Sequence, residues 1–224
     1  MRTVILLPMT SAIPTRAQSR SHTESARACA LVSGVAGLVA GLLLIGFFTL
    51  ADPYDATAGG PTWLGGANDV VGIVQFGAFA PVIWALRRWL PATRWMRAVT
   101  VVAVVAAIAF AVLGVLLVAN VLTFEQQIGP VIVTIIVTYA WLLTANLAAH
   151  RFRTLPRAVT LSGVMLAVGF LVGMVLVGAS LVIPSPVGQI IGWAGYAIGF
   201  LGWLGLPVYS LLLAARVFTD REEQ

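Results

Sequence analysis

The chain has 224 residues, of which 60% are hydrophobic and only 9% are charged, and its mean hydropathy is +0.99. A soluble domain carries about 25% charged residues, so this composition excludes a soluble globular protein. The net charge of +5 reflects thirteen basic residues, all arginine, which stand in short groups between apolar segments; this pattern is typical of membrane topology, so we expect a lipid bilayer and no nucleic acid as partner.

Apolar segments long enough to cross the hydrocarbon core, about 20 residues, recur along the chain. A polar tail over residues 1–27 precedes them, and we predict it to be disordered and cytoplasmic. The predicted spans cover residues 29–50, 68–86, 98–122, 128–149, 158–181 and 187–215. The sequence therefore predicts an all-α six-transmembrane-helix bundle over residues 28–216, followed by a short cytoplasmic tail over residues 217–224.

The arginines predict the orientation of this bundle. The N-terminal tail holds four, the second loop four, the fourth loop three and the C-terminal tail two, which together are all thirteen. The first, third and fifth loops hold none. Under the positive-inside rule both termini are cytoplasmic and the odd-numbered loops face outward.

Metal and disulfide sites are not expected. The single cysteine, Cys29, cannot form an internal disulfide. His22 lies in the N-terminal tail and His150 at an inner helix end, so these ligand types share no site. We predict no metal and no cofactor.

The stretch from Trp63 to Pro81 is the first candidate for one wall of a site. Asn68, Gly72, Gln75 and Phe79 fall on one helical face. We favour Asp69 as the N-cap of the second span, because a helix N-terminus favours Asp and negative charge. A cap cannot explain Gln75, since a buried carboxamide in lipid needs a partner on another helix or on a ligand.

Other helices offer candidate partners for this stretch. A ligand-binding site would combine Asn68 and Gln75 with Gln189, Trp193 and Tyr196 of the sixth span, and Thr134 of the fourth span is a further candidate. Glu125, Gln126 and Gln127 are candidates to join Asp69 around an outward-facing mouth. Hydrogen bonding between helices, without a ligand, is the simpler alternative for Gln75.

Glycines recur at helical spacing in three spans: residues 34, 37 and 41 in the first, residues 163, 169, 173 and 178 in the fifth, and residues 188, 192, 195, 199 and 202 in the sixth. Such stripes let helices approach closely in lipid. We favour packing between helices over a ligand groove floored by glycine. The same stripes are candidate contacts for a homo-oligomer or a membrane partner.

The segment from Trp63 to Arg87, together with Phe124-Glu125-Gln126 and Leu155-Pro156-Arg157, resembles a group of small actinobacterial membrane proteins. The shared features are Leu-Gly, Asn-Asp, Gln-Phe and Pro-Val elements, in that order, before a double arginine. The resemblance implies six spans and a bacterial plasma-membrane location. It brings no assigned activity and no functional residues.

Two functions remain open at this point. The first is a non-enzymatic membrane protein that binds or passes a small amphiphile, or serves as a subunit of a larger assembly, with Asp69, Glu125 and Gln75 at its mouth. The alternative is a metal-independent isomerase or cyclase of a lipophilic isoprenoid-like substrate, with Asp69 or Glu125 as catalytic acid beside Trp193 and Tyr196. An ion or proton carrier ranks third, since the spans lack a mid-membrane carboxylate.

Overall fold

The computed structural model describes residues 16–50 and 61–219, with side chains from residue 21 onwards. Six long helices make up this part of the chain: α1 (Arg16–Leu50), α2 (Trp63–Leu86), α3 (Arg94–Val118), α4 (Phe124–Phe152), α5 (Arg157–Ser180) and α6 (Val187–Arg216). All six are long and apolar enough to cross a membrane, and the described residues contain no strand. The prediction of an all-α six-span bundle is confirmed.

The helices form a closed ring in chain order, because each packs on the next and α6 returns to α1. Short turns join α2, α3, α4, α5 and α6 in succession, so these five helices alternate in direction. We call the end with the turns at residues 87–93 and 153–156 the inner end, since the arginines of these turns lie there. The outer end carries the turns at residues 119–123 and 181–186, which hold no arginine.

The starts of α1 and α2 differ most from the predicted boundaries. Helix α2 begins at Trp63, five residues before the predicted start at residue 68. The glycines that suggested a loop lie inside the helix, where Gly65 leaves room for the ring of Phe47 on α1. Helix α1 begins at Arg16, so residues 16–27 of the predicted disordered tail are helical. Ala26 in this extension is buried, which indicates that the extension packs on the bundle. The rest of that tail, residues 1–15, and residues 220–224 of the other lie outside the described residues.

Glycines produce the closest helix contact, which joins α5 and α6. A Cβ atom added to Gly173 would lie 2.5 Å from the Cα atom of Gly199, and one added to Gly202 would lie 2.6 Å from the backbone nitrogen of Phe170. Backbone therefore packs directly on backbone. The close contact gains dispersion energy, which matters in a bilayer because the hydrophobic effect does not drive helices together there. The interpretation of these stripes as packing surfaces is confirmed.

The glycine stripe of α1 is also covered within the chain. Cβ atoms added to Gly34, Gly37 and Gly41 would meet Leu211, Pro207 and Leu204 of α6. A homo-oligomer or membrane partner stays a prediction. It would have to use another surface than these glycine faces, because α6 already occupies that of α1.

A row of aromatic rings, here called the aromatic layer, crosses the interior of the ring of helices near its middle. It consists of one residue from each of α2 to α6: Phe76, Phe110, Tyr139, Phe170 and Trp203. The ring centroids of Phe76 and Phe110 are 3.9 Å apart, those of Tyr139 and Phe170 are 4.0 Å apart, and Trp203 lies 5.8 Å from Phe76 and 6.2 Å from Phe170. The layer divides the interior into an outer and an inner half.

The α5–α6 contact yields a paired test. We expect Gly173→Ala to lower the melting temperature of the purified protein, because the added methyl group must push α6 away at a cost of about 1–3 kcal/mol. Gly178→Ala on the same helix is the matched control, since a Cβ atom there meets nothing within 4 Å. Equal melting temperatures for the two variants would contradict this account of the packing.

Candidate functional site

A small cavity of about 40 Å³ lies in the outer half of the interior, directly on the outer side of the aromatic layer. We call it the outer cavity. Five helices contribute to its wall, with Ala40 from α1, Asn68, Asp69, Gly72 and Gln75 from α2, Phe110 and Gly114 from α3, Gln127 from α4 and Trp203 from α6. Three residues of the predicted shared face, Asn68, Gly72 and Gln75, therefore line a common space, whereas Phe79 is buried in the core and does not.

Gln75 lies near the middle of the 24-residue helix α2, and only 2% of its surface is exposed. Gly37 of α1 makes room for it, since a Cβ atom at that position would come within 2.7 Å of the Gln75 Nε2 atom. No hydrogen bond within the described part of the chain engages its carboxamide. The two donors and the acceptor oxygen of this buried group are thus left for whatever the cavity holds.

Asp69 is not the N-cap of α2, so that interpretation is wrong. The N-cap is Thr62, and Asp69 lies about two turns further into the helix, because α2 starts at Trp63. Its partly exposed carboxylate lines the outer cavity and accepts a hydrogen bond from the side chain of the neighbouring Asn68, which is also partly exposed. These two residues form the mouth of the cavity toward the outer end.

Of the three α4 residues predicted at this mouth, only Gln127 lines the cavity. It is 8% exposed, and no hydrogen bond of the described chain uses its side chain. Gln126 is used in a capping box, where its Oε1 atom accepts a hydrogen bond of 3.0 Å from the Thr123 backbone N–H. Glu125 is exposed in the first turn of α4, where the helix dipole favours a negative charge.

The predicted site residues of the sixth span lie in a different place. Gln189, Trp193 and Tyr196 line an open groove of about 390 Å³ at the outer end of α5 and α6, here called the outer groove. Its remaining wall consists of Ser180, Ile183, Ser185, Gly188 and Gly192. The structure therefore splits the predicted ligand site into two, with Asn68 and Gln75 at the outer cavity.

Thr134, another predicted partner of Gln75, does not reach it. Its hydroxyl donates a hydrogen bond of 2.7 Å to the carbonyl of Val131 on its own helix. Such a bond to the preceding turn is a common way for a threonine in a membrane helix to satisfy its donor. Gln75 thus gains no partner from α4 at this position.

Several buried polar side chains in the inner half are paired, in contrast to Gln75, although the Oγ atom of Ser33 on α1 has no hydrogen-bond partner among the described residues. Tyr209 of α6 donates a hydrogen bond of 3.0 Å to the Oδ1 atom of Asn146, whose amide donates to the carbonyl of Leu142 at 2.8 Å. Trp141 donates to the hydroxyl of Thr100 at 3.2 Å. The sequence alone does not reveal this partner of Asn146 on α6, because the spacing along one helix does not show which helix faces it.

The two volumes limit what each place can hold. One water needs about 10–15 Å³ of such space, so the outer cavity of about 40 Å³ accepts about three or four water-sized groups. Pockets for drug-sized ligands span about 300–1,000 Å³. The outer groove falls in that range, whereas the cavity beside Asp69 has no room for an isoprenoid-like substrate.

No protein-family model matches this chain, and neither a curated protein nor a solved structure is significantly similar to it. The resemblance to small actinobacterial membrane proteins stays a prediction. The outer cavity and the outer groove are therefore the features from which a function can be inferred.

The predicted orientation can be tested with single cysteines in a Cys29→Ser background. Glu125 is exposed in the first turn of α4 at the outer end, and Thr154 is exposed between α4 and α5 at the inner end. We expect a membrane-impermeant maleimide to label Glu125→Cys in intact spheroplasts and to label Thr154→Cys only after lysis. The reverse pattern would contradict the predicted cytoplasmic location of the inner end, and the unaltered background protein controls for nonspecific labelling.

Proposed function

We propose that this chain is an integral membrane protein that binds a small amphiphile in the outer groove. The observation that carries the proposal is the juxtaposition, in one groove of about 390 Å³, of polar side chains with a pair of exposed aromatic rings. A molecule with a polar head and an apolar chain matches such a surface. The proposal includes a bacterial plasma-membrane location with the inner end in the cytoplasm, supported by the arginines at that end.

The polar side of the groove is suited to a head group. Gln189 is exposed and makes no hydrogen bond to other described residues, so its amide is free to donate and accept. Ser180 donates its hydroxyl proton to the carbonyl of Val177 at 2.7 Å, which leaves its oxygen as an acceptor. Ser185 adds a second hydroxyl. Neutral groups of this kind favour a hydroxyl, ester or zwitterionic head group over a strongly charged one.

The aromatic side of the groove is suited to an alkyl chain. Trp193 is 75% exposed and Tyr196 is 60% exposed, and their ring centroids are 6.3 Å apart. Aromatic residues at this depth also serve as interface anchors. Here they continue the polar groove along α6, so an apolar chain bound there would shield them at about 25 cal/mol per Å² of buried apolar surface.

Binding is favoured over passage through the protein. The rings of the aromatic layer pack within 3.9–6.2 Å of one another, and the interior on the inner side of the layer is filled by buried side chains. The isomerase alternative stays a prediction that no observation favours, because Glu125 is exposed and the cavity at Asp69 is about 40 Å³.

Quenching of tryptophan fluorescence tests the proposal. We expect a lysophosphatidylcholine with a brominated chain, added to the protein in nanodiscs, to quench the fluorescence with a saturable component. Trp193→Phe should remove that component, because its ring lies in the groove. Trp95→Phe is the matched control, since Trp95 is 70% exposed on α3 near the inner end.

The polar contact has its own test in the same assay. Gln189→Leu should raise the half-saturating concentration about tenfold, which corresponds to the loss of one hydrogen bond of about 1.4 kcal/mol. Quenching that rises linearly with the lipid concentration, or that is identical in Trp193→Phe and Trp95→Phe, would show ordinary partitioning into the bilayer and overturn the proposal.

A further inference from the structure

The outer cavity contains buried polar side chains that have no role in the proposed binding of an amphiphile. Gln75 and Gln127 are each more than nine-tenths buried and line the same small space, and their side chains form no hydrogen bond to another described residue. Leaving a carboxamide unsatisfied in an apolar surrounding costs on the order of 2–7 kcal/mol. A buried group of this kind in the middle of a membrane helix therefore points to an occupant.

The charge of the cavity indicates the sign of that occupant. Asp69 is the one ionisable residue in its wall, and the wall contains no arginine or histidine. The described arginines of the helix turns lie at the inner end, on the other side of the aromatic layer. A carboxylate that is partly withdrawn from water has no neighbouring cation in the described structure, so a positive charge in the cavity would stabilise it.

The donor atoms indicate the chemical class. The wall offers the carboxylate oxygens of Asp69 and the carboxamide oxygens of Asn68, Gln75 and Gln127. Oxygen ligands of this kind are preferred by hard cations. A single carboxylate balances one positive charge, whereas a divalent ion would leave a net charge in a low-dielectric surrounding. A space of about 40 Å³ is enough for a small ion with one or two waters.

We propose that the outer cavity binds a monovalent cation of the size of Na⁺, with Asp69 as the charged ligand and Asn68, Gln75 and Gln127 as carboxamide ligands. The ion enters from the outer end, where Asn68 and Asp69 are partly exposed. It stops at the aromatic layer, since Phe110 and Trp203 close the inner side. This proposal goes beyond amphiphile binding and uses none of the residues of the outer groove, so each proposal can fail without the other.

Thermal unfolding of the full chain in detergent, followed by intrinsic tryptophan fluorescence, tests the site. Sodium chloride is compared with choline chloride at equal ionic strength, because choline is too large for the cavity. We expect a saturable rise in melting temperature with sodium of about 5 °C or more at a concentration a hundredfold above the dissociation constant. Asp69→Asn, which keeps the shape of the side chain, should lose this rise.

A further pair of variants tests the cavity volume without removing a polar group. Gly72 lines the cavity, and a Cβ atom added there would lie 3.7 Å from the Phe110 ring, an ordinary contact that the fold accepts. Gly72→Ala should therefore fold but reduce the space for the ion, and with it the sodium-dependent rise. Gly77→Ala on the same helix is the matched control, because it is exposed and a Cβ atom there meets nothing within 4 Å.

Binding of radioactive sodium to the same variants gives a readout independent of stability. Saturable binding that is lost in Asp69→Asn and weakened in Gly72→Ala, but kept in Gly77→Ala, is the expected result. Three outcomes would overturn the proposal. Equal melting temperatures in sodium and choline would mean that the cavity holds water alone. The other two are a sodium effect that persists in Asp69→Asn and a larger stabilisation by calcium chloride than by sodium chloride. Normal quenching by the brominated lipid in Asp69→Asn would show that only the cation site was changed.

Discussion

The stacked rings at the centre of the bundle are the contact on which both halves of the interior depend. Six helices in a closed ring leave a space that small aliphatic side chains would not fill, and a void there forfeits dispersion contacts. Five helices fill it with one ring each, and Tyr139 also donates a hydrogen bond of 3.2 Å to the carbonyl of Gly202. α1 contributes no ring to this row and instead meets α6 through its glycines. Because the rings close the interior, polar groups on the two sides of the layer have to be satisfied separately.

On both sides of the aromatic layer, a glycine on one helix makes room for the carboxamide side chain of a neighbouring helix. Gly37 makes room for Gln75 in the outer half, and Gly163 of α5 makes room for Asn146 in the inner half. The outcomes differ because their surroundings differ. Asn146 meets the hydroxyl of Tyr209 and becomes part of the packing, whereas Gln75 faces the outer cavity. The same kind of glycine–carboxamide contact therefore stabilises the bundle in the inner half and lines the outer cavity in the outer half.

Length, hydropathy and arginine position predicted the number and order of the spans, since these are properties of each segment alone. The start of α2 escaped prediction because Gly65 suggests a loop until the ring of Phe47 is seen packed against it. Because the predicted start was too late, Asp69 was wrongly predicted to be the N-cap of α2. The grouping of Gln75 with Tyr196 failed for another reason: a depth estimate places two residues at one level of the membrane but cannot say whether they face the interior or the lipid. Tyr196 is 60% exposed and Gln75 is 2% exposed.

The position of α6 links the two outer features without making them one site. Trp203 closes the outer cavity on the inside of the ring, while Trp193, about three turns nearer the outer end, points away from the interior and lines the groove. Backbone contact through Gly173 and Gly199 holds this helix against α5, and interfaces packed this closely do not slide by small steps. A shift of α6 large enough to join the two spaces would have to break that contact and the aromatic layer together. The geometry therefore favours two sites that are occupied independently over a single path through the membrane.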